Sequence, residues 1–284
     1  MNPKKIDEIY AAVDRLPPFP EIAHRVMLLM DDPKATVQDM VEIVKYDQGI
    51  TTNILRVCNS AAFGLPRKVE SLSTAISLLG QRQLVDIIMA NCGERLLSES
   101  VPGYDLKSRE LWWHSVTTAT ASKLIARRCR EAFPPHLFTT ALLHDIGKIV
   151  LHTYVRDDFE RITALVKERG VPFYVAEAEV LGADHARIGA EILSRWNFPA
   201  EIVEGVRIHH QPEACRENHL GAVVALSDLL SVVMGIGAGV DGLTYEGGSE
   251  LLEICGLEAG EMDLLLAELW DELRRTEDML GVHP

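Results

Sequence analysis

The sequence predicts an all-α fold, and three observations predict it. Apolar residues recur at helical spacing along nearly the whole chain, convincing strand alternation is missing, and Pro, Ser, Thr and Asp stand where helices open and close. At the N-terminus Ile6, Ile9, Tyr10 and Val13 share one face of a helix. Pro20 occupies a first-turn position ahead of Ile22, Val26, Leu29 and Met30, and this second helix is expected to end near Asp31-Asp32-Pro33. Thr36 and Asp39 have capping-box spacing before Met40, Val41, Ile43 and Val44, and Ser73 is expected to cap the run Ala75, Ile76, Leu78 and Leu79. The turn-forming residues of Ser98-Glu99-Ser100-Val101-Pro102-Gly103-Tyr104 then suggest a hinge, which closes an N-terminal helical lobe over residues 1–100.

A second lobe is expected over residues 105–232. It opens with an amphipathic helix from about Ser108 to Arg128 and continues with a strongly apolar helix centred on Thr139 to Tyr154. Trp196-Asn197-Phe198-Pro199 closes one helix and lets Pro199 open the next. Residues 233–284 form the third stretch. Glycines at 235, 237, 239, 242, 247 and 248 predict a loop of high conformational freedom, and helical spacing returns from Leu251 to Leu280. Beyond His210 the chain carries 15 Asp and Glu against 3 Arg, read as the solvated face of terminal helices.

With 284 residues and 47% hydrophobic content, the chain is long enough for one large core or two small ones. No apolar run approaches the roughly 20 residues that span a bilayer, and the start Met1-Asn2-Pro3-Lys4-Lys5 leads into no signal-peptide core. A cytoplasmic protein with no membrane partner is expected. The formal charge of -14 opposes phosphate backbones, so no nucleic-acid partner is expected. Cys58, Cys92, Cys129, Cys215 and Cys255 are odd in number, far apart and without a CxxC pair, which predicts reduced structural thiols.

Chemistry concentrates in Leu142-Leu143-His144-Asp145-Ile146-Gly147-Lys148-Ile149, where an imidazole and a carboxylate interrupt an otherwise apolar helix. A carboxylate in apolar surroundings needs a partner, and a divalent cation is one. Glu110 and His114, four apart, project from nearly the same helix face and can reach one point. His185 opens a helix after Asp184, His209-His210 ends another, and Asp228 stands alone among apolar residues in Val223 to Leu230. Neighbouring residues on a helix diverge by about 100°, so His209 and His210 could serve two ions, or one ion and a substrate. Imidazole and carboxylate without thiolate suit Fe, Mn, Zn, Co or Ni, as one ion or two, and a carboxylate such as Asp145 can bridge a pair about 3.5 to 4 Å apart. Lys148 lies four residues from His144, placed to meet a phosphate oxygen or to neutralise Asp145.

The ordered set His114, His144-Asp145, His185, His209-His210 and Asp228 resembles the HD superfamily of metal-dependent phosphohydrolases. Its spacing is most similar to the HD-GYP branch. The resemblance implies an HD-like helical bundle with all seven residues as metal ligands, Asp145 bridging, Glu110 on an optional further ion, and Fe or Mn as the metal. After His210, however, the chain reads Gln211-Pro212-Glu213 where that branch has Gly-Tyr-Pro, so cyclic di-GMP hydrolysis is not expected. Leu16-Pro17-Pro18-Phe19-Pro20, Tyr46-Asp47-Gln48-Gly49, Asn53 to Ser60, Phe63-Gly64-Leu65-Pro66 and Ala75 to Gly80 resemble the HDOD family in order and spacing, over about residues 12–212. Read by themselves, Asp47, Asn59 and Ser60 are helix caps or buried anchors.

HDOD resemblance implies a signalling output module whose partners are signalling proteins, with input from a partner, the C-terminal helices or a ligand in the pocket. The alternative is a metal-dependent phosphohydrolase acting on a phosphorylated small molecule, with Asp145 and Lys148 as its catalytic pair. A third reading is a di-iron redox or oxygen sensor.

Overall fold

A computed structural model of the chain describes residues 3–30, 32–60, 65, 67–129, 133–240, 248–258 and 260–280. The described residues are helical with no β-strand, apart from one antiparallel bridge between Val101 and Leu106. In chain order the helices are α1 (Pro3–Val13), α2 (Glu21–Met30), α3 (Val37–Val44), α4 (Gln48–Cys58) and α5 (Leu72–Leu97), followed by a 3-10 turn at Pro102–Tyr104. Then come α6 (Glu110–Arg128), α7 (Leu137–Leu143), α8 (Lys148–Asp157), α9 (Phe159–Arg169), α10 (Phe173–Leu181) and α11 (His185–Arg195). The last are α12 (Ala200–Ile208), α13 (Pro212–Cys215), α14 (His219–Val233), α15 (Gly248–Ile254) and α16 (Glu261–Leu280). No described helix is long and apolar enough to cross a membrane.

Two compact units result, and neither is a single run of chain. One comprises residues 18–95 with 270–284, the other residues 1–17 with 96–269. In the first, Ala23, Val26, Met40, Val44, Ile50, Ile54, Val57 and Ile76 form a buried core. Thr36 caps α3 with the reciprocal Asp39 box that the spacing predicts, and Asp47 caps α4 by accepting from the Ile50 amide at 2.9 Å. Asn59 closes α4 and anchors the chain beyond it: its side chain donates to the Leu55 and Val69 carbonyls, each at 2.8 Å, and accepts from the Val69 amide at 2.7 Å. The hydroxyl at the start of α5 belongs to Ser71, which accepts from the Thr74 amide, not to Ser73, whose carbonyl instead accepts from Ser77. Of Phe63-Gly64-Leu65-Pro66, all but Leu65 lie outside the described residues.

The second unit is built on α6 and α14, which are buried along nearly their whole length and pack against each other. Thr118 and Ser231 hydroxyls meet across this contact at 3.0 Å. The apolar helix expected from Thr139 to Tyr154 is two helices, α7 and α8, with His144-Asp145-Ile146-Gly147 as a corner between them. Tight i to i+3 bonds, Ile146 to Leu143 and Lys148 to Asp145, each 3.0 Å, turn the chain there. Gly147 is the reason the corner can seat: a Cβ on it would lie 2.0 Å from the His185 carbonyl oxygen and 2.7 Å from the Gly189 amide, so α8 and α11 touch backbone to backbone.

Two expected loops make packing contacts where they are described. Ser98 to Tyr104 is no exposed hinge, for Val101, Gly103 and Tyr104 are buried, and a Cβ on Gly103 would strike the His152 carbonyl. The glycine-rich stretch is described over 235–240 and at 248, while Gly242 and Gly247 lie outside the described residues. Gly237, at φ 55°, backs onto Glu110 and His114 of α6 with no room for a Cβ, and the Val240 amide donates to the Tyr104 carbonyl at 3.1 Å.

Gly147→Ala is expected to cost about 3 kcal/mol or more, because backbone cannot yield as a side-chain end does. Gly170→Ala, at φ 63° with nothing within 4 Å of its Cβ, is expected to cost only about 1–2 kcal/mol of backbone strain. Urea unfolding of the two variants checks the contrast, and equal losses would contradict the backbone contact at Gly147.

Candidate metal centre

Five segments of the second unit converge on one buried point. The fourth position of α6 after its first residue supplies His114, the α7–α8 corner supplies His144 and Asp145, the start of α11 supplies His185, the end of α12 supplies His209 and His210, and the middle of α14 supplies Asp228. Helix ends place two of these groups. Asp184 caps α11 by accepting from the Arg187 amide at 2.7 Å, which leaves the adjacent His185 on the first turn facing inward. Pro199 precedes α12, and the helix runs out at Ile208, so His209 is its last cap.

Three of the imidazoles have their tautomer set by the backbone. Nδ1 of His114 lies 2.9 Å from the Ile236 carbonyl, Nδ1 of His144 lies 2.8 Å from that of Ala141, and Nδ1 of His209 lies 2.6 Å from that of Val206. A carbonyl oxygen can only accept, so each Nδ1 donates its N–H, and in the neutral ring Nε2 keeps a lone pair. None of these three buried Nε2 atoms makes an aligned hydrogen bond among the described residues. What those of His114 and His144 face is carboxylate. Asp228 Oδ1 stands 3.0 Å from Nε2 of His114 and 3.5 Å from that of His144, and Asp145 Oδ2 stands 3.5 and 3.4 Å from the same two atoms. Lone pairs aimed at lone pairs in a site shielded from water require a positive charge between them.

His185 is held differently. Glu177 of α10 accepts from both its Nδ1, at 2.8 Å, and its backbone amide, at 2.9 Å, while the Tyr104 hydroxyl donates to the other oxygen of that carboxylate. Nε2 of His185 then points at Asp145 Oδ1, 3.4 Å away, and at Nε2 of His210, 2.8 Å away. His210, the partly exposed member, stacks flat on the Tyr174 ring at 4.6 Å. Sequence reasoning missed Glu177, which is wholly buried. Its only signal was a glutamate within the apolar run Phe173 to Leu181, without the imidazole neighbour that drew attention to Asp145.

Charges within the site decide its protonation. Asp145, Asp228 and Glu177 are buried carboxylates, and Lys148, whose Nζ lies 2.6 Å from Asp145 Oδ2 and above the Tyr104 ring, supplies one cation. With all three carboxylates ionised, two further positive charges are needed. Without a metal they are protons: burial pushes His114 and His185 down, but the carboxylates beside them overcome it, raising His114 above its usual value and His185 to about 9. Burial likewise works against ionised Asp145 and Asp228, yet the surrounding imidazoles, with Lys148 at Asp145, hold both well below the carboxylate range. Burial and the neighbouring rings press His209 down to about 3 and His210 well below its ordinary value, which leaves both as neutral donors of lone pairs.

The donor set fits a divalent cation. Ligand atoms close within 4.8 Å of one another in three overlapping groups: His114, His144 and Asp145; His144, His209 and Asp228; and His185, His209 and His210. All seven proposed ligands are therefore brought together. Glu110 is not among them, because its carboxylate turns back to accept from the Lys107 amide at 2.7 Å at the start of α6. Lys148 reaches the site through Asp145.

The fold itself is one already seen in crystals. An HDOD domain protein of unknown function from Geobacter sulfurreducens superposes with a TM-score of 0.75 at 23% identity, covering 97% of this chain and 96% of that one. A phosphohydrolase candidate from Shewanella amazonensis gives 0.71 at 20% identity, with 96% and 97% covered. A signal transduction candidate from Marinobacter aquaeolei gives 0.73 at 20% identity, with 98% of this chain and 64% of that chain covered. An uncharacterized protein of Treponema pallidum is 25% identical over 207 residues, which are 72% of this chain but only 40% of that longer protein. The HDOD domain model matches residues 16–212, and with the helical fold and the histidine and aspartate cluster in hand, the chain belongs to the HDOD family.

Proposed function

We propose that this chain is a regulatory HDOD protein that retains an HD-type metal site and acts mainly through contacts with signalling proteins. The observation that carries the metal is the trio of backbone-locked imidazoles with bare Nε2 atoms, of which His114 and His144 face Asp145 and Asp228 while His209 closes on His144 and Asp228. His114, His144, Asp145, His185, His209, His210 and Asp228 would hold one or two ions, and a donor set of nitrogen and oxygen admits iron or manganese, with zinc, nickel or cobalt as alternatives. A bound divalent ion would supply Lewis acidity and the two positive charges that the site otherwise takes up as protons. Glu177 orients His185 and raises its basicity, and the three carbonyls do the same for the other rings. A role in signalling draws support from the Marinobacter structure, itself a signal transduction candidate, and from Lys148 being committed to Asp145 instead of standing free for substrate.

The second reading is metal-dependent hydrolysis of a phosphoester. One divalent ion neutralises the site, so a second would leave it positive and would call for an anionic ligand such as phosphate. His210, partly exposed against Tyr174, is the edge from which such a ligand could enter. Turnover of nucleotides or phosphoesters by metal-loaded protein, abolished in Asp145→Ala, would replace the regulatory reading with this one.

Metal analysis of protein purified with iron or manganese is expected to find about one to two ions per chain, lost in His144→Ala and Asp228→Ala and kept in Glu110→Gln. Absence of metal from the folded wild-type chain would sink the metal site. Glu177→Gln is expected to weaken metal affinity by about 10 to 100-fold in chelator competition while leaving the helical circular dichroism intact. The pH dependence has a definite sign. His185 of the metal-free protein is protonated below about 9 and its Nε2 binds metal only after losing that proton, so affinity rises at least about tenfold per pH unit and levels off above about 9. Titration of metal binding against pH tests this, and an affinity independent of pH between about 6 and 8 would contradict it.

A further inference from the structure

The two most exposed of the large apolar side chains among the described residues are Tyr46, 78% exposed, and Leu28, 71% exposed, and both belong to the first unit. Taken singly, such residues need no explanation. Their setting is shared, however. Tyr46 lies in the turn between α3 and α4, where it lines a cleft of about 370 Å³ together with Glu21, Ile22 and Arg25 of α2 and Ile43 of α3. Leu28 stands one turn beyond Arg25 on α2. Ala23, Val26 and Met27 take the buried side of that helix, which turns Glu21, Arg25 and Leu28, at positions i, i+4 and i+7, to solvent as one stripe. Half-buried Ile22 and Leu29 flank it.

The stripe carries opposite charges that do not meet. Glu21 and Arg25 have the spacing and the order, acid before base, at which such residues pair along a helix. Yet neither side chain makes an ion pair or hydrogen bond among the described residues. The neighbouring charges are already engaged. Lys45 pairs with Glu42 at 2.5 Å and lies 4.9 Å above the Tyr46 ring, while Asp47 caps α4 and faces Arg95 at 3.8 Å. The α2 face therefore offers one carboxylate, one guanidinium and apolar surface beside them.

We propose that this face is a self-association surface on which a second copy of the chain docks, its α2 antiparallel to the first across a twofold axis. Such an axis makes every contact reciprocal, so Glu21 of each copy meets Arg25 of the other. Charge complementarity selects this occupant and this direction. A second α2 supplies both signs in the reverse order that the stripe requires, whereas a parallel arrangement would bring like charges together. Leu28 and Tyr46 lose their exposure to water in the contact, and the cleft beside Ile22 and Ile43 receives an apolar side chain of the other copy. Exposed ion pairs contribute little by themselves, so the apolar residues supply most of the affinity and the charges fix the register.

Sedimentation velocity of the full chain across a concentration series is the test, and the wild type is expected to show a reversible equilibrium between monomer and dimer. Glu21→Arg and Arg25→Glu each turn the attractive pairs into repulsive ones and are expected to weaken the dimer at least about tenfold. The double variant, Glu21→Arg with Arg25→Glu, exchanges the signs and is expected to recover the wild-type affinity to within about threefold. Leu28→Asp is expected to weaken the dimer about tenfold or more. All three positions are exposed, so the helical circular dichroism is expected to stay unchanged. A wild-type chain that remains monomeric at its highest soluble concentration would overturn the proposal without any variant having to fold. So would a dimer indifferent to both single reversals, or a double reversal no tighter than the single ones.

Discussion

The site depends on hydrogen bonds that do not touch its centre. By accepting the Nδ1 proton, the carbonyls of Ala141, Val206 and Ile236 remove each ring's freedom to turn an N–H toward the carboxylates. Had the rings been free to switch tautomer, Asp145 and Asp228 could have been satisfied by neutral imidazole N–H groups, and the pocket would be an ordinary buried polar network. With the tautomer set, the interior holds converging lone pairs and an excess of negative charge, so its stable states are the ones that add cations. A divalent ion held there would compete with protons for the same positions.

That requirement explains features of the fold that lie outside the site. The Ile236 carbonyl can reach His114 because Gly237, in a left-handed conformation, lets the backbone lie against α6. The corner holding His144 and Asp145 seats because Gly147 meets the backbone of α11 directly, which also fixes His185 opposite Asp145. Glu177 is tied by Tyr104, and Tyr104 belongs to the buried turn whose carbonyl receives the Val240 amide. Helices α6, α10, α11 and α14 are therefore positioned by one continuous set of polar contacts, and close backbone approach, available only to glycine, makes the set compact enough to exclude water.

Much of this was legible one residue at a time. Helical spacing announced the all-α class because apolar burial has a period, and the Thr36 box and the Asp47 cap were readable because capping is local chemistry. The histidine and aspartate cluster was readable because imidazole and carboxylate inside apolar runs demand compensation wherever they fold. Glu177 escaped notice because its meaning comes from His185 and Tyr104, which lie on other segments. Glu110 was drawn toward the site by helical spacing to His114, yet a backbone amide three residues earlier in the chain is a closer partner for its carboxylate. Ser73 lost its capping role to Ser71 for a similar reason, since periodicity places a helix start only to within a residue or two.

The sequence by itself determined the helical class, the family and which imidazoles and carboxylates stand inside apolar runs, since these rest on residue type and on spacing within single segments. Tertiary structure decided which nitrogen of His114 is bare, how the corner between α7 and α8 seats on α11, and that Gly237 lies against α6. The Ile236 carbonyl at His114 and the α11 backbone at Gly147 belong to segments distant in sequence, and no local periodicity encodes which backbone group a folded chain will bring within reach, whereas the carbonyls at His144 and His209 lie only three residues back along their own helices.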